Sequence, residues 1–110
     1  MKEIKKIKVR IEVTEYPLGT EDIFICGNIP SLGLWNVEKS KPLKKDKDNN
    51  FYYTEIYVPY RELVSYKILA DKDWDRVMLD EYGYDMDNYD IYAPLLESKV
   101  IQHKVVKFKG

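Results

Sequence analysis

At 110 residues and 13.1 kDa the chain is one domain's worth of sequence. That is enough for a single core burying roughly two-thirds of the surface an unfolded chain exposes, and too little for a multidomain enzyme. Hydrophobic residues at 45% and charged residues at 34% describe a globular domain, not a disordered chain. Eighteen Lys and Arg against nineteen Asp and Glu leave a formal charge of −1, so the chain as a whole has no electrostatic reason to seek nucleic acid or an anionic membrane.

In chain order, Ile7, Val9, Ile11 and Val13 alternate with Lys8, Arg10 and Glu12, which predicts a half-buried strand. Residues 23–26 are apolar on both faces and stop at Gly27, as a central strand does. Over residues 51–58, Tyr52, Thr54, Ile56 and Val58 share one face, and Pro59 ends the pairing. Residues 64–70 alternate again, with Val64, Tyr66 and Ile68 inward and Ser65 and Lys67 outward. Further strands are expected near 75–79, 88–92 and 104–108. Turn-rich segments separate them: GNIPSLG at 27–33, KKDKDNN at 44–50 and DEYGYD at 80–85. With no helical period over about ten residues, the pattern predicts an all-β, immunoglobulin-like antiparallel sandwich of about seven to eight strands. Residues 1–94 form the expected sandwich, and 95–110 a final strand or a linker extension.

Acid–base or nucleophilic catalysis finds few candidates. The only histidine, His103, lies in the segment without a clear period and is expected at the surface. Cys26, the only cysteine, sits in an apolar strand and is expected to be a buried, inert thiol. It excludes an intramolecular disulfide and a Cys-ligated zinc site. Asp71, Asp73 and Asp75 begin with calcium-loop spacing, but Arg76 stands where the sharp turn needs Gly and Tyr82 where the bidentate carboxylate belongs. The cluster Asp80, Glu81, Asp85, Asp87 and Asp90 reads as solvated carboxylates. No cofactor, no metal and no catalytic residue is expected, and a carboxylate-dependent hydrolase fragment is the weakest reading. No run of about 18 apolar residues offers a membrane span. The stretch MKEIKKIKVR lacks the apolar segment of a signal peptide, so the chain is expected to be cytoplasmic if it is full-length.

Aromatic residues carry the functional signal: ten Tyr, two Trp and three Phe make up 14% of the chain. Trp35 follows a strand, a Gly-Asn turn and a loop containing Pro30 and Gly33. Trp74 lies in the hydrophilic stretch DKDWDRV, seven residues after Lys67. Two loop tryptophans with a fixed lysine suit an uncharged polyhydroxylated ligand, because a pyranose ring has apolar C–H faces and a rim of hydroxyls. Covering about 60 Å² of apolar sugar face contributes roughly 1.5 kcal/mol per indole. Hydrogen bonds add about 0.5–1.5 kcal/mol each against an association cost of at least ~4 kcal/mol. Dissociation constants from about millimolar to tens of micromolar follow. One competing expectation is that both tryptophans merely cap the ends of the sandwich core; another is an immunoglobulin-like interaction module without sugar affinity, its exposed aromatics packing against a protein partner or neighbouring domain.

The order of these pieces adds to the chemistry. An apolar strand runs into Gly27-Asn28, then Ile29-Pro30, Leu32-Gly33 and Trp35-Asn36. Pro42-Leu43, a strand ending Val58-Pro59, and Tyr66-Lys67 before Trp74 follow. Over about residues 7–92 this resembles the starch-binding domains of carbohydrate-binding module family 20, and less closely the glycogen-binding modules of family 48. The resemblance implies a noncatalytic β-sandwich binding α-1,4-glucan (starch, glycogen, maltooligosaccharide) and tethered to an enzyme. It places Trp35, Lys67 and Trp74 at the principal glucan site, the indoles stacking on adjacent glucoses and the lysine bonding hydroxyls. Asn88 is the counterpart of the family's asparagine after the second Trp, although Tyr89 follows it where the family has Arg and the gap from Trp74 is longer. The resemblance also implies a second, tyrosine-based site, for which Tyr16 and Tyr53 stand only in approximate positions, and a core-packing role for Tyr52.

Overall fold

The computed structural model describes residues 5–110; residues 1–4, part of the stretch read for a leader, lie outside the described residues. Two four-stranded sheets face each other across one core. The first has the order β4 (Lys44–Asp46), β5 (Phe51–Pro59), β1 (Lys6–Glu15) and β9 (Val100–Lys104). The second has the order β3 (Lys41–Pro42), β2 (Ile23–Gly27), β6 (Leu63–Ala70) and β8 (Tyr89–Tyr92). A short pair, β7 (Met78–Leu79) and β10 (Lys107–Phe108), closes one end. This is an immunoglobulin-like β-sandwich.

Alternation does the sorting. Val9, Ile11 and Val13 of β1 are buried against Tyr52, Ile56 and Val58 of β5 and against Ile23, Ile25, Val64, Tyr66 and Ile68 of the facing sheet. Tyr52 takes a core position and donates its hydroxyl to the Glu21 carbonyl at 2.7 Å, which satisfies the one polar group it brings inside. β2 is covered on both faces: Ile25 faces the main core, while Cys26 joins Leu69 and Val77 in a second cluster on the outer side of its sheet. The Cys26 thiol is fully buried and its pKa is pushed up by that burial, which leaves it a small hydrophobe.

Several elements depart from the pattern read along the chain. Trp74–Arg76 is a 3-10 turn rather than strand, so β7 is only two residues long. The expected last strand near 104–108 is the two-residue β10 (Lys107–Phe108), and a longer strand whose position was not expected, β9 (Val100–Lys104), precedes it. β9 also runs parallel to β1, with Ile11 opposite Ile101 and Val13 opposite His103, in a sandwich that is otherwise antiparallel. Gln102 donates to Glu12 at 2.9 Å, and Arg10 donates to the other oxygen of the same carboxylate at 2.7 Å, fastening β9 to the outer face of β1.

Candidate functional site

The Trp35 loop is built by close approach of backbones. Gly27 ends β2 opposite Tyr66, and a Cβ there would collide with the Ser65 carbonyl oxygen. Asn28 prolongs the pairing with its side chain, donating to the Leu63 carbonyl at 2.9 Å and accepting from the Ser65 amide at 2.8 Å. Pro30 opens a 3-10 turn whose Leu32 is fully buried. Gly33, Leu34 and Trp35 then take consecutive left-handed conformations, with φ of 86°, 50° and 65°. At Gly33 a Cβ would stand 2.7 Å from the Lys39 carbonyl oxygen, so this position requires glycine. For Leu34 and Trp35 the conformation is a local cost carried by the anchored loop around them. Its result is an indole 36% exposed on the outer side of β2.

Trp74 arrives by a different turn. Asp71 and Lys72, both at positive φ (56° and 52°), reverse the chain after β6, closed by Asp73 N–H to the Ala70 carbonyl at 3.3 Å. The Asp73 carboxylate accepts from the Asp75 amide at 2.9 Å and Asp71 lies 3.9 Å from Arg76, so two of the calcium-spaced carboxylates serve this turn. Trp74 is half-buried, packed against the Cys26–Leu69–Val77 cluster. The core-capping expectation thus describes part of Trp74 and little of Trp35.

The two indoles stand 6.3 Å apart between ring centroids and are tilted by 39°. They line one open cavity of about 420 Å³ together with Lys67, Val77, Asp85 and Asn88. The structure therefore brings all of Trp35, Lys67, Trp74 and Asn88 to one place. Lys67, on the outer face of β6 opposite Cys26, has no carboxylate within 4.0 Å among the described residues. The exposed Asn88 amide likewise makes no side-chain hydrogen bond among them. Both are free to bond a ligand.

Asn88 reaches the cavity through a loop organised by Asp80, whose carboxylate accepts from the amides of Tyr82 and Tyr84, each at 2.9 Å. Leu79 then bridges to Asp85. Sequence reasoning assigned Asp85 to a solvated cluster and gave Val77 no role; the longer spacing between Trp74 and Asn88 was the only signal of this loop.

His103 corrects the surface expectation. It is 9% exposed, and its Nε2 is 2.7 Å from the Tyr66 hydroxyl, itself fully buried. Ile101 and His103 both face inward in β9, so the strand does alternate, but with a polar residue at an inward position that hid the period. Burial lowers the His103 pKa to about 4, which keeps the imidazole neutral near pH 7, and raises that of Tyr66. Tyr16 and Tyr53 are engaged separately: Tyr16 packs edge-on against Tyr52 at 5.0 Å, and Tyr53 lies under the Arg10 guanidinium at 4.1 Å.

Solved structures share the β-sandwich fold. Glucoamylase from Hormoconis resinae is similar over 96% of this chain and 18% of its own, with a TM-score of 0.61 and 17% identity. The family 20 module of the maltotetraose-forming amylase from Pseudomonas saccharophila is similar over 89% of this chain and 99% of its own, with a TM-score of 0.59 and 16% identity. At these identities the likeness establishes the fold. In sequence, residues 6–84 match the starch binding domain family, carbohydrate-binding module family 20, and the chain belongs to it. It is thus a starch-binding domain, a noncatalytic binding module. Glucoamylase-1 from Arthroderma benhamiae is 40% identical over 70 residues, 61% of this chain. The chain spans 12% of that relative's length.

Proposed function

We propose that Trp35 and Trp74 stack on neighbouring glucoses of an α-1,4-glucan while Lys67 and Asn88 hydrogen-bond the hydroxyls at the sugar edge. The observation that carries this reading is the pair of indoles 6.3 Å apart and tilted by 39° over one cavity, flanked by polar groups with no protein partner among the described residues. Parallel plates would suit a flat ligand sandwiched between them; tilted neighbours on one surface suit a curved chain, as helical amylose or a cyclodextrin is. The contact is apolar at the ring faces and polar at the rim, matching the two-sided chemistry of a sugar.

The domain's role in this reading is to hold an attached catalytic domain at its polymer, raising the local substrate concentration. Support comes from the glucoamylase relative, of whose length this chain matches 12%. In this reading the domain binds glucan and leaves its hydrolysis to the attached catalytic domain.

Calorimetric titration with maltoheptaose tests the site. Trp35→Ala and Trp74→Ala each weaken binding by about tenfold or more, the worth of a stacked plate, with folding checked by circular dichroism. Unchanged affinity in both folded variants contradicts the assignment.

A further inference from the structure

Beside the tryptophan cavity lies a second one, of about 420 Å³, that shares Lys67, Asp85 and Asn88 with it. It exists because β8 stops short. β8 pairs with β6 only from Leu63 to Tyr66, and before Tyr89 the chain swings away through the Asp80 loop, leaving the space beside Lys67 and Ile68 open. Tyr66, Ile68 and His103 are its buried lining, and Met86 and Tyr89 offer it apolar surface. Tyr89 is held in place, its ring 5.4 Å from Tyr66 and 4.7 Å from His103 between centroids.

The chemistry of this cleft repeats that of the first. An aromatic ring and a thioether supply apolar contact, and the polar group in depth is the neutral His103 imidazole, its Nε2 already engaged by the buried Tyr66 hydroxyl. Asp85 and Asn88 supply acceptors and donors at the mouth. The carboxylates disfavour phosphate or any other anion and favour hydroxyls as donors. Its position decides the rest: the plates lie over β2 and the end of β6, and this cleft lies on the β8 side of Lys67, so a group seated there has left the stacked pair sideways.

We propose that this cleft takes a side-branch glucose, α-1,6-linked to a chain stacked on Trp35 and Trp74, which makes the domain selective for branched over linear glucan. The inference rests on the glucan reading above and adds to it a specificity determinant formed by Met86, Tyr89 and the Asp80 loop.

Calorimetry with β-cyclodextrin and 6-O-α-glucosyl-β-cyclodextrin, identical apart from one branch glucose, tests it. The branched ring binds about three- to tenfold tighter, the worth of one or two net hydrogen bonds with some apolar contact. Met86→Arg, at an exposed position, fills the mouth and erases that advantage while leaving the affinity for plain β-cyclodextrin unchanged; Tyr89→Ala does the same if it folds. Equal affinity of wild-type protein for the two rings overturns the inference and leaves the glucan site standing. A comparable gain from maltotetraose to maltoheptaose that Met86→Arg also erases puts a chain end in the cleft and overturns the branch assignment. Binding of neither ring overturns both readings together.

Discussion

The two loops that meet at Lys67 are built on opposite plans. The Trp35 loop is held by backbone proximity, with Gly27 against the Ser65 carbonyl, Asn28 reading β6 with its side chain, and three successive left-handed residues clamped behind a buried leucine. The loop that carries Asp85 and Asn88 is a local turn folded onto itself, the Asp80 carboxylate accepting from the amides of Tyr82 and Tyr84 and backbone bonds joining Asp80 to Gly83 and Tyr84. In the first loop almost any change meets a backbone atom; in the second, side chains project into open space. Trp35 therefore stands on the rigid loop and Trp74 on its own turn packed against the Cys26–Leu69–Val77 cluster, while the half that adjusts to a particular ligand stands on the permissive loop.

Breaking the rigid half has the largest effect. Gly27→Ala drives a methyl group into the Ser65 carbonyl and costs about 3 kcal/mol or more, as overpacking against an unyielding neighbour does; urea unfolding measures it. Gly33→Ala adds a left-handed penalty of about 1–2 kcal/mol to its clash with Lys39 and displaces Trp35, so maltoheptaose affinity falls with stability.

His103, beneath the permissive half, sets a pH dependence. Its pKa is about 4 in the folded protein, from burial, and near 6.5 in an unfolded chain. Between those values the unfolded chain accepts a proton that the folded one refuses. The stability held above about pH 6.5 is therefore lost as the pH falls towards 4, by about 2–3 kcal/mol at most. Asp80, Asp85 and Asp87, which line the same cleft, oppose part of that loss by favouring the imidazolium. Urea midpoints at pH 7 and pH 4.5 show the decline in wild-type protein and a shallower one in His103→Gln.

Smaller effects sharpen the contrast. Asp80→Ala removes the acceptor for two amides and costs about 1 kcal/mol. The plates do not depend on it but the placing of Asn88 does, so linear-maltooligosaccharide affinity falls by no more than the roughly two- to tenfold that loss of Asn88 costs, which calorimetry on the folded variant checks. Asn88→Ala leaves stability unchanged and weakens linear-glucan binding about two- to tenfold, the loss of one net hydrogen bond at an exposed edge.

How much was legible in the sequence follows the same division. The alternation in β1, β5 and β6 and the apolar run in β2 fix both sheets, because each strand buries a face whose period is two. Trp35, Lys67 and Trp74 were legible as a set because glycines, a proline and a strand lysine position them locally. The two-residue strand at 41–42 was not, and the strands expected near 75–79 and 104–108 are only two residues long, at 78–79 and 107–108, since so short a strand carries no period to set its bounds. Nor was the parallel pairing of β9 with β1, which depends on contacts about ninety residues apart in sequence. His103 was misplaced because its inward position is made tolerable by the Tyr66 hydroxyl, a partner on another sheet. Asp85 was missed because its role comes from a turn that Asp80 folds.

The presence of only two tryptophans gives the central claim a direct test. In a ¹⁵N-labelled sample, two indole N–H signals are followed by NMR while β-cyclodextrin is added. The account predicts that both signals move, saturate together with one dissociation constant, and are accompanied by the Asn88 side-chain amide. Saturable binding that leaves both indoles unmoved would place the glucan elsewhere and contradict it.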